Sequence, residues 1–170
     1  MKTRILQNSL RVSLLLAFAA IPMRLQADGG TESTGSKIYD ELADGSEQVA
    51  KAIVLATKDH KRILLEFGAN GCGWCIKLHK LFESDKTISE ELKANYVFAL
   101  IDNNKEHDKE HNKNLVVKYG AEYNFGWPFL VVLNTDGTHL VTKNTGDLEE
   151  GDHHNPQKVL AFLKEWEPKR

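Results

Sequence analysis

The sequence predicts an α/β fold with a central mixed sheet of about four to five strands flanked by helices. Three observations carry this reading. Short apolar runs at residues 63–67, 96–101 and 129–133 alternate with stretches of helical periodicity. A Thr135-Asp136-Gly137 turn then sends the chain back as a fourth strand over residues 139–142. The only two cysteines, Cys72 and Cys75, stand where the first strand gives way to a helix.

The first 27 residues are set apart before any fold reasoning. Lys2, Arg4 and Arg11 form a basic start, residues 12–21 an apolar run, and Leu25-Gln26-Ala27 a cleavage site before Asp28. This is the pattern of a secretory signal peptide. Its apolar run is too short to span a bilayer, which takes about 20 residues. No cysteine follows it to carry a lipid, so no stable membrane anchor is expected. Residues 28–45 begin polar and Gly/Ser/Thr-rich and read as a flexible leader, with a short helical turn at Ile38, Tyr39 and Leu42. The folded domain is expected over 46–168.

The chain has 170 residues, 41% hydrophobic and 27% charged, enough for one domain with a full core. Its net charge is −2, and removal of residues 1–27 leaves 18 basic against 24 acidic residues, a net of −6. That balance excludes nucleic acid as the natural partner.

Within the domain, Ser46 is read as a helix cap, with Val49, Ala50, Ile53, Val54 and Thr57 on one face. Residues 62–68 form a strand buried on both faces. Glu66 breaks that apolar run, six residues before Cys72. It is either a solvated glutamate or a partly buried acid under the cysteines with a raised pKa. A helix follows the cysteines to residue 82 or 83, and Asp85 caps the next. The second strand ends at Asp102. Residues 103–114 are wholly polar and read as a solvated loop or a frayed helix start. Residues 115–119 form a short helix, ended by Gly120. Pro128 heads the third strand, where proline is tolerated. The βα alternation implies parallel strands, with the last hairpin adding an antiparallel edge. Residues 146–155 read as an acidic loop, His153 and His154 as exposed, and Asp147, Glu149, Glu150 and Asp152 as solvated charge. Pro156 opens a final helix with Val159, Leu160, Leu163 and Trp166 on one face.

The cysteines carry the chemistry. A disulfide between Cys72 and Cys75 closes a tiny loop and constrains the unfolded chain little, so stapling is a poor use of it. At a helix N-terminus, unpaired N–H groups and the helix dipole favour a thiolate. Thiol–disulfide exchange is the better reading. Cys72 is the nucleophile, Cys75 resolves the mixed disulfide, and Glu66 helps deprotonate Cys75.

Together these residues resemble the thioredoxin fold over roughly 46–168. The resemblance rests on the acid at Glu66, on Cys72-Gly73-Trp74-Cys75 opening a helix, and on Trp127-Pro128, where the family keeps a cis-proline beside the dithiol. Thioredoxins usually place Asp at the acid position, and protein disulfide isomerase domains place Glu. Leu64 to Asn70 before the motif and Lys77 to Phe82 after it resemble a subgroup of exported thioredoxin-like proteins. The resemblance implies a thioredoxin fold acting as a protein-disulfide oxidoreductase. It implies a substrate groove at Gly73, Trp74, Trp127 and Pro128, the Trp127 backbone pairing with an extended segment. The Glu-Pro-Lys-Arg end lacks a reticulum-retention signal, which favours a bacterial periplasm or secretion. A monomer is expected. Its partners would be protein disulfides or dithiols and a redox relay protein, with no cofactor beyond the cysteine pair.

Three departures stand out. Gly71 replaces the usual tryptophan before Cys72. Trp74 replaces the usual proline or histidine between the cysteines, as though the aromatic had changed sides. Phe98 falls where thioredoxins often carry a lysine, which deprives Glu66 of that partner. Two other functions compete. One is copper or zinc binding by Cys72, Cys75 and His79, with His107 and His111 a further pair. Ile76 rules out haem attachment, which needs His there. The other is a redox-inactive adaptor or chaperone, against which the Cys-x-x-Cys pair itself argues.

Overall fold

The computed structural model describes residues 37–104, 111–120 and 125–169. The signal-peptide reading therefore lies outside the described residues, as does His107. In chain order the elements are α1 (Gly45–Asp59), β1 (Arg62–Gly68), α2 (Gly73–Ser84), α3 (Lys86–Asn95), β2 (Tyr96–Asp102), α4 (Lys113–Lys118), β3 (Phe129–Leu133) and β4 (His139–Asn144). A 3-10 turn (Thr145–Leu148), the two-residue strands β5 (Glu149–Glu150) and β6 (His153–His154), and α5 (Pro156–Glu165) complete them.

Four strands form one sheet in the order β2-β1-β3-β4. β1 runs parallel to β2 but antiparallel to β3, so the parallel part of the sheet is smaller than the βα alternation implied. The register gives the reason. Phe67, at the end of β1, pairs with Phe129, at the start of β3, and their rings stack with centroids 4.7 Å apart. The chain must therefore enter β3 at the end where β1 leaves. That brings Trp127-Pro128 to the same sheet end as the cysteines.

Residues alternate across β1, and each face has its own core. Ile63, Leu65 and Phe67 pack with Phe129, Val131 and α1; Leu64 packs with Leu130, Val132 and the helices α2, α3 and α5. Burying each such large side chain stabilises the fold by about 1.5–3 kcal/mol. β1 is thus covered on both sides, as its apolar run predicted.

α1 differs from its expected form. Asp44, rather than Ser46, caps it, accepting from the backbone N–H of Ser46 at 2.7 Å and of Glu47 at 3.2 Å. Its buried residues are Gly45, Val49, Ala52 and Ala56, while Val54 is 69% exposed. The helix lies so close to its neighbours that small residues are needed: a Cβ on Gly45 would stand 2.7 Å from Asn112 Oδ1. The structured region also begins before residue 46. Residues 37–45, assigned above to a flexible leader, include Tyr39, which is buried. Asp85 caps as expected: its carboxylate accepts from Ile88 N–H at 3.0 Å, and its own N–H closes α2 on the Leu81 carbonyl. Trp166 packs against the second core, with Phe162 an unforeseen member beside it.

Candidate active site

β1 ends at Gly68, whose carbonyl accepts from Asn103 N–H at 2.9 Å. The chain then turns through Ala69, Asn70 and Gly71. Gly71 has φ +84°, a left-handed conformation that side chains resist. This accounts for the glycine where the resemblance led one to expect tryptophan.

Cys72 is the N-cap of α2. Its sulfur accepts from Cys75 N–H at 3.1 Å, and its carbonyl accepts from Ile76 N–H at 3.1 Å. The two cysteines form a disulfide, with Cα atoms 5.3 Å apart. Cys72 is half-buried and Cys75 fully buried. No acidic side chain lies in the first turn of α2, so nothing opposes the dipole that favours a Cys72 thiolate.

Glu66 is fully buried, on the α2 face of β1. Loss of water pushes its pKa up from 4.5 to about 8, a rise only partly opposed by a hydrogen bond from Tyr39. Of the two sequence alternatives, the buried acid holds. The Tyr39 hydroxyl donates to Glu66 Oε1 at 2.8 Å. The residue at the family's lysine position, Phe98, packs on Phe82 with ring centroids 5.5 Å apart. Glu66 has a partner after all, but from a segment the sequence assigned to the leader.

Gly68 lies at the centre of this group. A Cβ there would stand 2.6 Å from Cys75 Sγ and closer still to the Tyr39 hydroxyl. Tyrosine hydroxyl and inner sulfur therefore converge on one backbone position, and the hydroxyl carries the bond to the buried acid.

The residues assigned to the groove are placed as follows. Gly73 is exposed in the first turn of α2. Trp74 is half-buried, with Lys77 Nζ 4.6 Å from its ring centre. Trp127 is half-buried and packs on the first core, and the peptide bond to the buried Pro128 is cis. The Thr145 hydroxyl donates to the Pro128 carbonyl.

The acidic loop has structure. Its β5–β6 hairpin packs on α2, and His154, expected to be exposed, is buried. Its ring meets Trp74 edge-on, with centroids 5.3 Å apart. Desolvation, with Lys77 and His153 adding repulsion, lowers its pKa to about 4, so it stays neutral. His153 is exposed, as expected. Tyr39, Gly68 and His154 were missed as site residues. Tyr39 had one usable signal, a lone aromatic in a polar stretch.

His79 points away from a shared ligand set. It pairs with Glu83 at 3.4 Å and stacks on Phe98. Among the described residues no three His, Cys, Asp or Glu side chains gather as a metal-binding group.

A half-buried cysteine joined to a fully buried one, with a tyrosine bonded to a buried acid near the inner sulfur, is arranged to make and break a disulfide. The class this fold and site define is the disulfide oxidoreductase of thioredoxin fold. A family model described as a thioredoxin-like domain matches residues 49–152, and the chain belongs to that family. A solved disulphide isomerase from Xylella fastidiosa Temecula1 is 30% identical, covers 76% of this chain and 95% of its own, and superposes with a TM-score of 0.65. A solved thioredoxin from Thermus thermophilus is 19% identical over 68% of this chain and 81% of its own, with a TM-score of 0.48. No curated protein matches the sequence.

Proposed function

We propose that this protein reduces or isomerises protein disulfides through Cys72-Gly73-Trp74-Cys75. The observation that carries the reading is the asymmetry of the pair, Cys72 half-buried at a helix N-terminus and Cys75 fully buried near the Tyr39 hydroxyl, which itself bonds the buried Glu66. The likeness to the Xylella disulphide isomerase supports the isomerase side.

In the reducing direction the Cys72 thiolate attacks a substrate disulfide. One substrate sulfur bonds to Cys72, and the other leaves as a thiolate and takes a proton from water. Cys75 then loses its proton to the Glu66 carboxylate and attacks the Cys72 sulfur. The Cys72–Cys75 bond forms, and the second substrate thiolate departs. Two electrons pass from the dithiol to the substrate, so no small-molecule cofactor takes part. Glu66, with its pKa raised to about 8, is matched to a thiol proton. Gly73 and Trp74 on one side, and Trp127 and Pro128 on the other, would hold an extended substrate segment. The protein would work as a monomer after export to a periplasm or the medium, consistent with the basic-then-apolar start of the sequence. A partner thiol protein would restore the working redox state.

Equilibration of residues 28–170 with glutathione or dithiothreitol buffers tests this. A two-electron couple near about −270 mV marks a reductase kept reduced by a relay, and one near or above about −180 mV an isomerase or oxidant. Reduction of insulin should accompany either. Absence of any couple refutes the proposal and points to an adaptor. Stoichiometric, chelator-sensitive metal uptake by the dithiol points to the metal reading instead.

A further inference from the structure

The segment before α1 is pinned to the active-site loop by one side chain. Asn70, two residues before Cys72, accepts from the backbone N–H groups of Ile38 at 2.9 Å and Tyr39 at 3.0 Å. Its amide donates to the Tyr39 carbonyl at 2.9 Å and to Glu41 at 3.0 Å. These bonds span 29 to 32 residues of chain. They fix the Tyr39 backbone from both sides, so the ring enters the protein in one position.

That position is chemically pointed. The hydroxyl bonds one oxygen of Glu66 and shares the space over Gly68 with Cys75 Sγ. The other carboxyl oxygen, Oε2, is buried and has no hydrogen-bond partner. With Oε1 engaged by Tyr39, Oε2 is the carboxyl oxygen whose acceptor sites are all unused.

We propose that Tyr39 is a positioning residue for the resolving step: by anchoring Glu66 through Oε1 beside the inner sulfur, it leaves Oε2 aimed to take the Cys75 proton. The proposal rests on the exchange reading above and adds to it a group from outside the motif. The balance is simple. The Cys75 S–H bond breaks, its proton goes to Glu66 Oε2, and the freed electron pair forms the bond to Cys72. Tyr39 keeps its own proton throughout. Burial and the nearby carboxylates of Glu66 and Asp102 push its pKa far above the usual range, so it remains a donor. Its hydrogen bond also favours ionised Glu66, and its loss raises the Glu66 pKa further. Among the described residues, Asp102 from β2 adds its charge to that of Glu66 on Tyr39, and Cys75 from α2 approaches the same backbone position as the Tyr39 hydroxyl.

The test separates two steps. Reduced full-length domain, residues 28–170, is mixed with dithiobis-nitrobenzoate, and released thionitrobenzoate is followed by absorbance across pH. The first release reports capture by Cys72, the second resolution by Cys75. Tyr39→Phe, which keeps the ring, should slow resolution at pH 7 about tenfold relative to capture and move its midpoint to higher pH. Asn70→Ala, which frees the backbone of Tyr39, should move the midpoint the same way. An unmoved midpoint, or equal slowing of both steps, overturns the proposal. The unaltered protein gives a further check, since the Tyr39 ring-carbon shift next to the hydroxyl should titrate with Glu66, and a silent Tyr39 overturns it. If the unaltered protein completes neither release, the exchange reading falls as well. If it completes both and the variants match it, the Tyr39 role alone falls.

Discussion

The ring of His154 stands edge-on to the ring of Trp74 at 85°, with 5.3 Å between centroids. One is the aromatic between the two cysteines, the other the end of a two-residue strand some eighty residues later. Over the Trp74 ring lies the ammonium of Lys77, which also donates to the Asp152 carbonyl of the same hairpin. Trp74 is therefore held between α2 and the β5–β6 hairpin, presenting a fixed apolar surface beside Cys72.

A fixed aromatic beside the proposed nucleophile is suited to bind substrate. Trp74→Ala should raise KM for a protein disulfide about tenfold, equivalent to ~1.4 kcal/mol of binding, with a smaller effect on kcat. Steady-state insulin reduction measures both. An unchanged KM removes Trp74 from the groove.

His154 makes the hairpin sensitive to acid. Its pKa is depressed to about 4 in the fold, against an ordinary 6.5. The unfolded chain therefore takes up the proton first as pH falls. The associated stability is complete above pH 6.5 and is lost as pH drops towards about 4. His154→Phe keeps an aromatic against Trp74 and removes the proton site. Its denaturation midpoint should hold better than that of the wild type between pH 6.5 and 4. Parallel curves over that window count against it.

Glu66 acts in the opposite sense. Its pKa is raised from 4.5 to about 8, so the folded state holds a proton that the unfolded state releases. Stability tied to this group is complete below about pH 4.5 and lost as pH rises through about 8. Glu66→Gln cannot ionise. Relative to the wild type it should gain stability steadily from pH 5 to pH 9, while resolution of mixed disulfides slows by roughly 10²-fold or more. Denaturant titrations at the two pH values decide the first part. A constant difference between variant and wild type would mean that Glu66 is not titrating inside the fold.

Gly68→Ala tests the close approach beneath the disulfide. The added methyl would stand 2.6 Å from Cys75 Sγ, too near for any contact without displacement. Overpacking of this kind costs about 1–3 kcal/mol, and here the displaced groups are the sulfur and the Tyr39 hydroxyl. The oxidised protein should unfold at lower denaturant and resolve mixed disulfides more slowly. Wild-type values for both would show that the site yields freely.

Much of this architecture was legible in the residues. The strands 62–68 and 129–133 announced themselves because a strand covered on both faces must be apolar throughout. Asp85 and Pro156 marked helix starts because their chemistry suits those positions. Cys72 and Cys75, by spacing and by the turn before them, pointed to a paired dithiol at a helix N-terminus, and they form a disulfide there. Glu66 stood out as an acid in an apolar run, and burial is what then raises its pKa.

What sequence pattern cannot express is which distant residue completes a site. Tyr39 looked like part of a leader because its neighbours are polar; only the Asn70 side chain, reaching across more than thirty residues, draws it under the dithiol. His154 looked like an exposed loop residue because its loop is acidic; only the packing of the hairpin on α2 buries it against Trp74. β3 runs antiparallel because Phe129 meets Phe67 at the site's end of the sheet, a pairing made across sixty residues. Local chemistry along the chain determined the elements and the cysteine pair. The partners of that pair were decided by long-range contacts, which exist only once the backbone has closed and excluded water.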